Sequence, residues 1–201
     1  MAAAIKIDEK RLEKVRVNGL KSGSHSGVSS GFCAMEAISY ITGESWSDHP
    51  ECVCPVIGAF MRNWNDSLKD DERNKLITPE LLLKTVGTRG SKDLEHRRSL
   101  MAADWLIRVH TPAWLRLAKL DAQADLIAGL PEITDMAQYP SLRAPLEAVR
   151  KDASAAWDAA RAAAWDAAWD AAWAALKPTK ETLQASAGDL IIRMCELTEA
   201  A

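Results

Sequence analysis

The sequence predicts an all-α protein, and three observations carry that prediction. Apolar residues recur at helical spacing over most of the chain, whereas the strict apolar–polar alternation of strands is almost absent. Pro55 and Pro79 stand where helices would start, since the first turn leaves an N–H unpaired anyway, and Gly43 stands where one would stop. Near the C-terminus the run AAWDAARAAAWDAAWDAAWAAL sets tryptophan in alanine, the residue of highest helix propensity.

Taken in order, IDEKRLEKVRV reads as a short opening helix, and residues 19–31 as a Gly/Ser loop carrying His25. The next helix should begin near Ser29 or Ser30, with the serines as caps and FCAMEAISYIT as its body. PVIGAFMRNWNDSL and PELLLKTVG follow, each opened by its proline. Beyond the loop GTRGSKD, the segment LEHRRSLMAADWLIRVH sets Leu94, Met101, Trp105 and Arg108 along a helix. Pro112 should interrupt it, with PAWLRLAKL continuing in a new direction. DAQADLIAGL and PEITDMAQ suit short helical pieces. Leu142 to Leu176 reads as one long helix that ends before Pro178, and TKETLQASAGDLIIRMCELTEA as a last helix folded back along it. The expected layout is a single helical domain, with a core over residues 1–140 and the long Ala/Trp helix and C-terminal helix over 141–201.

Composition narrows the function. The chain has 201 residues, 48% of them hydrophobic, which suffices for a sizeable core. Its 25 basic and 28 acidic residues give a net charge of −3, so no positive field exists to hold a nucleic-acid backbone, and nucleic acid is a poor candidate partner. No apolar run is long enough to span a membrane. MAAAIKIDEK lacks the apolar segment of a secretory leader, which points to a cytoplasmic, reducing setting. Cys33, Cys52, Cys54 and Cys195 are spaced unlike a disulfide framework.

The densest chemistry lies in SDHPECVCP, residues 47–55. Cys33, His49, Cys52 and Cys54 supply one imidazole and three thiolates, enough in number for a tetrahedral zinc, although C-x-C is tighter than the usual C-x-x-C. The plainer reading is a stiff turn capped by Ser47 or Asp48, with the cysteines as small buried hydrophobes. A further reading makes Cys33 a nucleophile. At the start of a helix its thiol would feel unpaired N–H groups that lower its pKa, and His25 or His49 would serve as base. That arrangement resembles the opening of the central helix in papain-like cysteine hydrolases, which bring their histidine in on a β-sheet this chain does not offer.

Two other stretches suggest binding. In GTRGSKDLEHRRSL, loop amides with Arg89, His96, Arg97 and Arg98 would suit a small anionic ligand, a phosphate or a carboxylate. A solvated basic patch is the simpler alternative. In the C-terminal run, Trp157, Arg161, Trp165, Trp169 and Trp173 recur at every fourth residue, a stripe that winds slowly around the helix. It serves either as core or as an interface ladder for a protein partner or a second copy in a homodimer.

The combination GFCAMEAISYITGESWSDHPECVCPVIGAFMRNWNDSL with RRSLMAADWLIRVHTPAWL resembles a group of uncharacterised proteins from bacteria and their phages. The Ala/Trp/Asp run is similar to the repetitive helices of immunity-protein-like families that neutralise toxins. Neither resemblance carries an activity or a functional residue. Together they imply a small protein of phage and host conflict, such as an anti-defence factor. No Walker A loop, H-E-x-x-H or G-x-S-x-G is present. The reading is therefore a non-enzymatic binding protein without a cofactor, which engages a protein partner or sequesters a small anionic ligand. The alternative is a metal protein or hydrolase centred on Cys33, His49, Cys52 and Cys54, with zinc as its cofactor.

Overall fold

A computed structural model describes residues 5–163 and 169–199, with the side chains of 155–175 outside the description. Among the described residues every regular element is helical. The chain forms two compact units, residues 1–98 with 187–201, and residues 99–186.

In the first unit, α1 (Glu9–Asn18) is capped by Asp8, whose carboxylate accepts from the Lys10 and Arg11 amides at 3.0 and 3.1 Å, and it buries Leu12 and Val15. The helix α2 (Ala34–Thr42) is nearly all interior, with Ala34, Met35, Ala37, Ile38 and Ile41 buried. It starts later than the serines suggested, because Cys33 forms a capping box with Glu36, while the Ser30 hydroxyl turns back to the Gly27 carbonyl. Gly43, at φ 78°, ends it in the left-handed conformation that glycine adopts without strain.

The helices α3 (Pro55–Ser67) and α5 (Pro79–Thr85) begin on their prolines as the sequence indicated, and Thr78 caps α5. Between them lies α4 (Asp70–Leu76), which sequence reading missed. Arg73 on α4 is fully buried, and its Nε donates to the Asn65 carbonyl at 2.8 Å while its other nitrogens reach Leu68 O and Asp70. The charge is tolerated there because every face of the guanidinium finds an acceptor. The unit is completed by the start of α6 (Lys92–Trp105) and the last turns of α10 (Trp169–Glu196), which bury Leu190, Ile191 and Met194.

In the second unit α6 passes into a π-helical turn, Leu106–His110, and then into α7 (Thr111–Leu117). Pro112 therefore does not interrupt the helix. The wider turn puts the Thr111 N–H on the Leu106 carbonyl, and the Thr111 hydroxyl reaches the same oxygen at 2.7 Å, so the backbone stays helical up to the proline. Lys119, at φ 62°, turns the chain into α8 (Asp121–Ala128). A short 3₁₀ turn, Met136–Gln138, leads into α9 (Tyr139–Ala163). Leu115, Ala124, Ile127 and Val149 form one buried cluster, and Leu100, Ile133 and Leu142 another, with Ile107, Leu130 and Leu146 packed against both.

The expected stop before Pro178 is also corrected, since Pro178 lies inside α10. A proline removes one i to i−4 hydrogen bond without obliging the helix to end. The Thr182 hydroxyl, donating to the Pro178 carbonyl at 3.0 Å, adds a bond in the following turn.

Candidate functional site

Cys33, His25 and Glu36 meet at the start of α2. Glu36 is only 2% exposed, and a carboxylate so buried needs its hydrogen bonds satisfied. Its Oε1 accepts from the His25 amide at 2.6 Å, and its Oε2 from the His25 ring Nδ1 at 2.8 Å and the Cys33 amide at 2.7 Å. The His25 carbonyl in turn accepts from Trp46 Nε1 at 2.7 Å. Phe32, Tyr40 and Trp46 pack as neighbouring rings. The Gly/Ser loop is thus fastened onto the helix start through one carboxylate.

This arrangement commits the thiol to structure. Cys33 Sγ accepts from the Glu36 N–H at 3.4 Å and is almost wholly buried. Burial pushes its pKa up to about 12, and the neighbouring Glu36 charge adds to that, outweighing the helix N–H groups that lower it. A thiol in this state is a poor nucleophile at neutral pH.

The turn at residues 47–55 is likewise built for shape. His49 is exposed and its Nδ1 lies 2.6 Å from Asp48 Oδ1. The Glu44 carboxylate accepts from the Glu51 and Cys52 amides at 2.6 and 3.1 Å, and burial with the Glu44 charge pushes the Cys52 thiol up to about 12. Cys54 is fully buried, and its amide donates to the Thr88 hydroxyl at 3.0 Å. Among the described residues no group of three or more His, Cys, Asp or Glu is placed to hold a metal ion, so Cys33, His49, Cys52 and Cys54 are not brought together as a zinc ligand set.

The basic loop holds the chain's own C-terminal end. Arg98, 2% exposed, donates from Nε to Met194 O at 2.8 Å, from Nη1 to Thr88 O and from Nη2 to Leu197 O at 3.0 Å. Arg97 Nη1 donates to Thr198 O at 3.1 Å. These guanidinium groups satisfy carbonyls that the end of α10 leaves unpaired. Arg89 lies 3.6 Å from Glu95, and His96 is exposed on α6. Ser91 binds the Glu199 carboxylate, through its N–H at 2.8 Å and its hydroxyl at 2.6 Å.

The π turn creates a grouping that sequence reading missed. The His110 ring lies between two indoles, with centroids 5.2 Å from Trp105 and 6.1 Å from Trp114. Trp105 Nε1 donates to Ser186 Oγ at 3.0 Å, and Trp114 Nε1 donates to His110 Nε2 at 3.1 Å. Burial lowers the His110 pKa, as expected for an imidazole among apolar rings. Leu106, Val109 and Trp114 are 51%, 41% and 38% exposed. Ala113, Arg116, Leu117, Lys119, Pro178, Thr179 and Thr182 line an open, mainly apolar groove of about 350 Å³.

The side chains of the tryptophan ladder, Trp157, Arg161, Trp165, Trp169 and Trp173, lie outside the described residues. Among the described residues no helix is long and apolar enough to cross a membrane. In comparisons with known proteins the chain matches no family model, no curated protein and no solved structure.

Proposed function

We propose that this chain is a non-enzymatic binding protein that engages a protein partner, in the setting of conflict between phages and their bacterial hosts. The observation that carries the reading is the exposure of large apolar residues around the π turn. Leu106 and Val109 lie in the π turn and Trp114 in the α7 that follows it, and all three large apolar side chains are exposed. Tryptophan is the residue most enriched at the centres of protein interfaces, and π turns recur at functional sites. A mainly apolar groove in the same unit is lined by Ala113 and Leu117 together with Arg116 and Lys119.

The chemistry elsewhere supports binding over catalysis. Cys33 and Cys52 are buried thiols with raised pKa values, and the His25 ring is engaged by Glu36. A hydrolase of the Cys/His class requires a thiolate and a nearby imidazole free to exchange its proton.

Site-specific photocrosslinking tests the reading. A crosslinking amino acid at Val109 should give a discrete adduct with one protein in cells of the native host, and Trp114→Ala should remove it. Absence of an adduct, or one formed equally from a control position at Lys92, would count against the proposal.

A further inference from the structure

The groove of the second unit carries a charge opposite to that of the whole chain. Ala113, Leu117 and Pro178 give it a mainly apolar lining. Among the described residues that line it, Arg116 and Lys119 are the ionisable ones and no carboxylate is present, in a chain whose net charge is −3. Arg116 shares its guanidinium with the exposed Asp125 of α8, a kind of pair that holds weakly in water, and Lys119 has no carboxylate partner among the described residues.

Lys119 stands there against the preference of its backbone. At φ 62° it is the one non-glycine residue in the left-handed region among the described residues, at the position after a helix that glycine usually takes. The Lys119 and Leu120 N–H groups donate to the Arg116 and Leu115 carbonyls at 3.0 and 2.9 Å, the two bonds of a Schellman end. The Ala118 N–H takes the Trp114 carbonyl at 3.1 Å. The last carbonyls of α7 are thus satisfied within the chain, and the two cations dominate the local field.

Size selects the class of occupant. A volume of about 350 Å³ falls at the small end of the range of about 300 to 1,000 Å³ for small-molecule sites, which likewise set a few polar groups in apolar walls. A protein interface takes about 20 to 30 residues from each side, against the seven that line this groove.

We propose that this groove binds a free small monocarboxylic acid with an apolar body, which packs against Ala113, Leu117 and Pro178 while its carboxylate pairs with Lys119 and Arg116. This goes beyond the protein-partner reading and stands without it. The full-length chain is titrated with octanoate, octylamine, acetate and the blocked peptide Leu-Glu-Leu, while the Leu117 and Lys119 amide resonances are followed by NMR. Octanoate should move both saturably. Octylamine has the same apolar body with the opposite charge, and acetate the same charge without the body, so each should have a midpoint at least about tenfold higher. Lys119→Gly removes one cation and puts glycine where the backbone favours it. The variant should melt no lower than the unaltered chain, while its octanoate midpoint, read at Leu117, rises at least about threefold. No saturation with octanoate, equal midpoints for octanoate and octylamine, or an unchanged midpoint in Lys119→Gly would overturn the proposal. A lower midpoint for the peptide than for octanoate would overturn it in favour of an acidic polypeptide segment.

Discussion

His25 and Glu36 form a buried pair, with the ring Nδ1 2.8 Å from Glu36 Oε2 and their side chains 11% and 2% exposed. The same carboxylate also takes the His25 and Cys33 amides, so one residue fastens a loop of glycines and serines to the central helix of the first unit. Glu36→Ala would leave three donors facing an apolar interior. Removing one member of a buried charged network costs about 3 to 5 kcal/mol, a large part of the 5 to 15 typical of a domain. Urea denaturation should show a loss of that size for Glu36→Ala. A loss below about 1 kcal/mol would mean the pair does not organise the loop.

Thiol reactivity separates binding from cysteine catalysis. Burial holds Cys33 and Cys52 at about 12, and Cys195, which is only half-buried, at about 11. At neutral pH the thiolate fraction of each is therefore very small, and access favours Cys195. Iodoacetamide at pH 7.5 should label the native chain slowly, Cys195 first, with Cys33 and Cys52 following only on unfolding. Rapid, selective alkylation of Cys33 would revive the nucleophile reading.

His110 gives the second unit a pH dependence with a definite sign. Burial holds its folded pKa below the ordinary 6.5. As pH falls from that value the unfolded chain takes up the proton first, so stability present above about 6.5 is lost as pH drops toward the folded value. Protonation also removes the acceptor for Trp114 Nε1. The difference in stability between pH 7.5 and pH 5 should shrink in His110→Gln relative to the unaltered chain. An unchanged difference would show that the imidazole titrates as if unfolded.

Much of the helical layout was legible because amphipathic spacing and proline starts are local signals. Pro55 and Pro79 opened α3 and α5 as the sequence indicated. The errors share a cause, which is a local rule applied where a non-local partner decides. Ser29 and Ser30 looked like the better caps, yet Cys33 wins because Glu36 binds its amide. Pro112 and Pro178 looked like breaks, but a π turn absorbs the first and the helix continues through the second. The contact of Ser91 with Glu199, 108 residues away, left no signal in the sequence, because it depends on where the chain returns rather than on local spacing. Trp105, His110 and Trp114 are spaced by five and four, a mixture that a search for the 3.6-residue period passes over.

The exposed Leu106, Val109 and Trp114 are proposed to bind a protein. With the partner identified by crosslinking at Val109, a calorimetric titration against Trp114→Ala tests it most directly. Trp114 is 38% exposed in the free chain, and its indole bond to His110 is on the surface, so the variant should keep its helical circular dichroism. An interface hot spot contributes about 2 kcal/mol or more, so the variant should bind at least about thirtyfold more weakly than the unaltered chain. Affinity within about twofold of the unaltered value, with the fold intact, would contradict this assignment.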